Sequence, residues 1–233
     1  MNTTTLTGAA TYFLEPDTNT DIIIPARFLK RVHLTGFTPF AFYEKKYLPD
    51  TICEASLTEK DFVFKKTVLD PAFPPNHPHA SDATFLLTWL NFGCGSSREH
   101  AVYSLNNYKV IIGSAPPGQN AFADIFRDNC RQNLIWTPVI SEVDHKTLVA
   151  YLKNEIPNRP ALLSLHPAKR RITSSDGNID LPYSIPEHHE TYILSGTDPA
   201  TIAKQEIESA KLEIANWRNN NPAIVNHYPN AKL

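Results

Sequence analysis

The ten residues from Asn91 to His100, with the sequence NFGCGSSREH, constrain this chain more than any other stretch. They follow an apolar run, Ala83 to Leu90, that is typical of a strand buried on both faces. Gly93 and Gly95 then allow the backbone to turn sharply. The pattern predicts a strand, a glycine turn and a helix in succession, which is an α/β arrangement.

Two serines and an arginine lie where the predicted helix begins. We expect Ser96 or Ser97 to cap a helix that starts at Arg98 and continues to about Asn106. The N-terminus of a helix presents backbone N–H groups and a positive dipole, which together favour an anion. The guanidinium of Arg98 can also grip a carboxylate with two parallel hydrogen bonds. The stretch therefore predicts an anion-binding loop with hydroxyl groups beside it.

Composition excludes several classes of function. The chain has 233 residues, and its 22 basic and 24 acidic side chains nearly cancel. Such a balance gives no electrostatic footprint for nucleic acid or for an anionic membrane. No apolar run approaches the roughly 20 residues that span a bilayer, and the first residues lack the pattern of a signal peptide. We expect a cytosolic protein.

The three cysteines, Cys53, Cys94 and Cys130, are widely spaced. Their spacing supports neither a disulfide framework nor a metal site, including an iron–sulfur cluster held by all three. We expect Cys94 to be a small buried residue under the glycine turn. The alternative is a nucleophile activated by His100, although six positions of separation place the two off a common helical face. No metal site is predicted in this chain.

The segment 113–120 has the glycine spacing of a phosphate-binding loop. Gln119 and Asn120 stand where that loop needs a lysine and a hydroxyl, which argues against nucleotide hydrolysis.

Periodicity outlines the remaining elements. We predict strands at Leu6–Leu14, Lys60–Val68, Lys109–Ile112 and Leu134–Ile140, helices at Ala26–Val32, Ala121–Arg131, Glu142–Lys153 and Pro199–Trp217, and a hairpin around Ser175–Asn178.

Three motifs, in order, resemble the swivelling domain of the aconitase superfamily. They are Asn19 to Leu29, Gly95 to His100, and Ala121 to Phe126 followed by Asn129 and Cys130. The stand-alone form of that domain is the small subunit of 3-isopropylmalate dehydratase. The resemblance implies an α/β fold in which a β-barrel-like mixed sheet is flanked by helices. We expect one domain over 1–233, with a motif-bearing core at about 7–140, a divergent part at 141–217 and a tail at 218–233.

The resemblance also implies a chemistry. It is a dehydration followed by rehydration that moves a hydroxyl to the neighbouring carbon of a malate-type dicarboxylate. By position, Ser96 would be the catalytic base in ionised form, and Gly95, Ser97 and Arg98 would bind a substrate carboxylate. A serine alkoxide is a strong base that N–H donors and positive charge must hold.

The resemblance also implies that a second loop helps to select the substrate by its side chain. By position it contains Arg31, Leu34 and Thr35. The family usually has an arginine before the Thr-Gly pair, whereas Leu34 precedes Thr35 and Gly36 here. This departure, together with an apparent insertion at 113–120, bears on the identity of the substrate more than on the reaction.

In the superfamily a [4Fe–4S] cluster with one open iron acts as the Lewis acid, and a large subunit of separate sequence carries it. The resemblance therefore implies that this chain binds no cofactor itself and works only with that partner, in leucine biosynthesis. Two alternatives stay open. One is the same reaction on homoaconitate, a citramalate-type diacid or an aryl-substituted malate, and the other is a non-catalytic anion-binding or regulatory subunit.

Overall fold

A computed structural model describes residues 5–30, 36–49, 68–96, 98–196 and 199–220. The chain forms two compact units, 1–196 and 197–233. The strands are β1 Leu6–Phe13, β2 Phe85–Thr88, β3 Val110–Ile112, β4 Leu162–His166, β5 Arg171–Ser174 and β6 Asp180–Pro182. The helices are α1 Thr20–Ile23, α2 Tyr43–Lys46, α3 Glu99–Ser104, α4 Asp124–Gln132, α5 Glu142–Glu155, α6 Glu187–Ser195 and α7 Pro199–Asn220.

The six strands form one mixed sheet in the order β3-β2-β1-β4-β5-β6. The first three are parallel, with Ala10 opposite Phe85 and Phe85 opposite Val110. The strands β1, β4, β5 and β6 are antiparallel neighbours. All four residues of β2 are buried, as the continuous apolar run predicts for a parallel strand covered on both faces.

The two ends of the sheet approach one another through a bridging segment. Gly113, just after β3, pairs with Val139, and Val139 pairs in turn with Ser184, just after β6. The hydrogen bonds between the backbone groups of Val139 and Ser184 are 2.8 Å in both directions. These bridges satisfy backbone groups that an open sheet edge would leave unpaired. The implied barrel-like mixed sheet with flanking helices is confirmed.

Side chains alternate between two cores on opposite faces of the parallel strands. Leu86 and Ile111 point into a core rich in aromatic rings, whereas Phe85, Leu87 and Val110 point into an aliphatic core. The aromatic core packs rings from the segments after β1 and β2 and from α4, for example Phe92 against Phe126 with centroids 5.3 Å apart. The candidate loop after β2 therefore stands on the aromatic core.

Several predicted elements differ from the structure. The region 134–140 is wrong as a strand, because Leu134 has a φ of +57° and only single bridges form at Trp136 and Val139. The helix expected from Ala121 begins at Asp124, and its residue Ile125 is 54% exposed. The strand predicted at Lys60–Val68 lies almost wholly outside the described residues.

Other local predictions are confirmed. The helix α5 covers the predicted range Glu142–Lys153, and β5 and β6 flank the turn at 175–178 as an antiparallel pair. In the second unit, α7 covers Pro199–Trp217, and its side chains Ile207, Leu212 and Ile214 are exposed. Within the described ranges no helix has both the length and the apolarity to cross a membrane.

The glycine turn gives a prediction for stability. Gly93 has a φ of +81°, and a Cβ there would lie 2.1 Å from Cγ of Phe126. We expect Gly93→Ala to destabilise the fold by about 2–5 kcal/mol, combining left-handed strain with overpacking of the aromatic core. The measurement is urea unfolding. Gly118→Ala is the matched control, because Gly118 has a φ of +82° and a Cβ at that position would meet nothing within 4 Å. Equal losses would contradict the steric explanation.

His189, a residue of α6, predicts that the stability of the fold depends on pH. Burial, with the charges of His188, Arg127 and Arg131, lowers the pKa of His189 to about 4, while Asp128 opposes the shift. Because an unfolded histidine titrates near 6.5, the unfolded chain binds more protons between these values, so stability is complete above about pH 6.5 and falls as the pH drops towards 4. We expect His189→Leu to lose less melting temperature than the wild type between pH 7 and pH 5. Identical losses in both proteins would refute this assignment.

Candidate active site

The start of the first motif and the two residues before it lie alongside the glycine loop and are joined to it by backbone hydrogen bonds. The N–H of Asp17 donates to the carbonyl of Leu90 at 2.9 Å, and that of Gly93 donates to Thr18 at 2.8 Å. The N–H of Thr20 then donates to the carbonyl of Cys94 at 2.9 Å. Segments that are more than 70 positions apart in sequence are therefore held in fixed register.

The third motif closes the other side of the same loop. The N–H of Asn91 donates to Asn120 at 2.8 Å, and that of Phe92 donates to Ala121 at 3.0 Å. Ala123 returns a bond to the carbonyl of Phe92 at 3.0 Å. All three motifs thus meet at residues 91–96. The segment 113–120 ends directly beside this loop.

The loop adopts a conformation that few residue types tolerate. Asn91, Gly93 and Gly95 all have positive φ values, of 54°, 81° and 90°. Gly95 also passes close to the first motif, since a Cβ there would lie 3.3 Å from Cβ of Asn19. The glycines therefore permit both the turn and the close approach of the two segments.

Ser96 is exposed at the end of the turn, and its Oγ lies 3.3 Å from Oγ1 of Thr20. The prediction that Ser96 caps the following helix is wrong. The helix α3 begins at Glu99, its N-cap residue is Arg98, and the side chain of Arg98 makes no capping hydrogen bond. The hydroxyl of Ser96 is turned towards the first motif instead. Ser97 lies outside the described residues.

Arg98 forms an ion pair with Asp21 through its Nη1 atom. The side chain of Asn19 caps α1 by accepting from the N–H groups of Asp21 and Ile22 at 2.9 and 3.0 Å. The carboxylate of Asp21 is consequently available to Arg98. Within the described residues Nε and Nη2 of Arg98 make no hydrogen bond.

The helix dipole contributes less to this loop than the sequence suggested. The helix α3 has six residues, and its first turn carries the acidic side chain of Glu99. The positive charge at the loop therefore comes from Arg98 rather than from the end of a long helix.

Cys94 is not paired with His100. Its thiol donates to the carbonyl of Asp17 at 3.2 Å, and burial, followed by the charge of Asp17, raises the pKa of the thiol. The ring of His100 packs edge-on against Phe37, with centroids 5.3 Å apart. In the described ranges no three histidine, cysteine or acidic side chains come together as metal ligands.

The structure thus brings Gly95, Ser96 and Arg98 together and adds two side chains that the sequence did not assign to the site, Thr20 and Asp21. In the sequence, only their position in the first motif connected Thr20 and Asp21 with the site. Local residue spacing cannot predict contacts between residues that are 76 or 77 positions apart. The remaining predicted site residues, Arg31, Leu34 and Thr35, lie outside the described part of the chain.

Comparisons with known proteins identify a family and relatives to which this chain is similar. The family described as aconitase C-terminal domain matches residues 2–139. A 3-isopropylmalate dehydratase small subunit from Neisseria gonorrhoeae is 34% identical over 208 residues, 89% of this chain and 91% of that protein. Another from Bacillus pumilus is 31% identical over 214 residues, covering 90% and 94%.

A solved structure shows the same fold. The 3-isopropylmalate dehydratase from Methanocaldococcus jannaschii superposes with a TM-score of 0.56 over 89% of this chain and 99% of that one, at 19% sequence identity. The mixed sheet and its helices are therefore a known architecture.

The environment of Cys94 predicts its reactivity. Because the thiolate is the nucleophile, a raised pKa leaves Cys94 mostly protonated, and we expect iodoacetamide at pH 7.5 to alkylate it more slowly than glutathione. Cys130, which is fully buried, should react only after unfolding. Peptide mapping by mass spectrometry measures both rates. Asp17→Asn should accelerate the reaction at Cys94, whereas a wild-type rate above that of glutathione would restore the interpretation of Cys94 as an activated nucleophile.

Proposed function

The chain belongs to the aconitase C-terminal domain family, and on that premise we propose that it is the small subunit of a 3-isopropylmalate dehydratase. The enzyme would isomerise 2-isopropylmalate to 3-isopropylmalate by dehydration and rehydration, in leucine biosynthesis. The observation that carries the proposal is the exposed loop after β2, where Ser96 and Arg98 are each held by the first motif. Relatives of this name match the chain along about nine-tenths of its length.

Ser96 is the proposed base. In the dehydration, its ionised Oγ takes a proton from the carbon next to a carboxylate, while hydroxide leaves the neighbouring carbon and a double bond forms. Rehydration with the two carbons exchanged returns that proton to the substrate. The serine needs an exposed position to reach the substrate and fixed positive charge nearby to favour the alkoxide. The exposed loop supplies the first and Arg98 the second.

Arg98 is proposed to bind a carboxylate of the substrate. Asp21 holds one terminal nitrogen, which fixes the plane of the guanidinium, and Nε and Nη2 remain for two parallel hydrogen bonds. This geometry orients a dicarboxylate relative to Ser96. Ser97, Gly95 and the loop with Arg31, Leu34 and Thr35 are proposed to complete the binding surface.

A large subunit is proposed to cover this loop and to carry the [4Fe–4S] cluster. The cysteines described in this chain do not fit such a cluster, since Cys94 donates to a backbone carbonyl and Cys130 is fully buried in the aromatic core. We therefore assign no step of cluster chemistry to this chain. Its own part is to hold the base, bind a carboxylate and, once covered, help to exclude water.

We expect Ser96→Ala to lower kcat of the assembled enzyme by about 10²–10⁴-fold, the usual loss when a proton-transfer group is removed. The measurement is an anaerobic assay with the large subunit and a rebuilt cluster, following the ultraviolet absorbance of 2-isopropylmaleate. Ser81→Ala is the matched control, because Ser81 is also exposed and, among the residues that the structure describes, its hydroxyl donates only to the carbonyl of Pro78.

The outcomes separate the alternatives. Unchanged turnover in Ser96→Ala would contradict the catalytic role and favour a subunit that only binds anions. A panel with homoaconitate, citramalate-type and aryl-substituted diacids tests the substrate. A clear preference for one of these over the isopropyl compound would keep the reaction and replace the substrate.

A further inference from the structure

We propose that Thr20 is a positioning residue for the base, and that its hydroxyl donates a hydrogen bond to Oγ of Ser96 and so stabilises the ionised serine. The inference rests on the proposed function and deepens it. Its basis is the 3.3 Å approach of the two hydroxyl oxygens, together with the burial of one and the exposure of the other.

Burial decides which hydroxyl is the donor. Thr20 is 1% exposed, and within the described residues its Oγ1 has no hydrogen-bond partner other than Ser96. A buried O–H group that donates to nothing is unfavourable, because it loses its bonds to water without replacement. Ser96 is exposed and can exchange its proton with solvent or substrate. The stable arrangement therefore has Thr20 donating and Ser96 accepting.

The backbone fixes Thr20 against the loop. Its N–H donates to Cys94 at 2.9 Å, and its carbonyl accepts from Ile24 at 2.9 Å inside the short helix α1. A β-branched side chain on such a backbone has few rotamers. The hydroxyl is thus oriented before the serine ionises, and only the distance between the two oxygens has to shorten when charge develops.

The distance is consistent with a bond that strengthens on ionisation. Neutral hydroxyl pairs centre at about 2.7–2.8 Å, so 3.3 Å is long for the resting state. Bonds from O–H to an ionised oxygen contract to about 2.5–2.7 Å and are roughly twice as strong as neutral bonds. The contact therefore stabilises the alkoxide more than the neutral serine.

Thr20→Val tests this directly, because it keeps the shape and removes the donor. In the assembled enzyme we expect kcat to fall about 10²-fold with KM nearly unchanged, comparable to the loss of one oxyanion donor. Thr20→Ser restores the hydroxyl and should recover most of kcat. Thr11→Val is the matched control, since Thr11 is equally buried but its Oγ1 has no partner within the described residues.

A double-mutant cycle with Ser96→Ala separates positioning from a general structural role. If Thr20 acts through Ser96, Thr20→Val lowers kcat no further once Ser96 is absent. Additive losses, or a kcat of Thr20→Val equal to that of the wild type, overturn the inference while the dehydratase stands. A wild-type complex that turns over none of the diacids defeats the proposed function and the inference together. Should Thr20→Val fail to fold, Thr20→Ala carries the same comparison.

Discussion

The backbone hydrogen bonds between residues 17–20 and 90–94 are the interaction on which the candidate site depends. They join the end of β1 to the loop after β2, beyond the point where the two parallel strands stop pairing. Without this register Thr20 would not reach Ser96, and Asp21 would not reach Arg98. The parallel order of β1 and β2 is the precondition, because it brings both carboxyl ends to the same edge of the sheet.

The rest of the first unit supports the loops at the carboxyl ends of β1 and β2 in two ways. The aromatic core lies directly beneath the loop, so Phe126 leaves no space for a side chain at Gly93. The antiparallel half of the sheet continues from β1 to β6, and the bridges through Val139 connect the segment after β6 to the segment after β3. A loop that must hold positive φ values at three positions is thereby confined between a packed core and two flanking segments.

The sequence predicted what depends on local pattern. The buried strand β2, the helix α5 and the turn before β6 follow from apolar runs, helical spacing and turn residues, and each was found. The strand at 134–140 was wrong because an apolar run cannot show whether its backbone has a continuous partner. The contacts of Thr20 with Ser96 and of Asp21 with Arg98 were not predicted, because each joins segments that are far apart in the sequence. The helix α1 is capped by Asn19, so the carboxylate of Asp21 is free to pair with Arg98.

The electrostatics of the loop would change if the proposed partner covered it. The side chains of Arg98 and Asp21 are 26% and 51% exposed, so water screens their attraction and the field that Arg98 exerts on Ser96. A surface that covers the loop would lower the local dielectric and strengthen each of these interactions without moving an atom. The same covering would make an unpaired guanidinium edge costly, which favours a carboxylate at Nε and Nη2. Under the proposed function, a docked partner and a carboxylate bound to Arg98 would therefore stabilise one another.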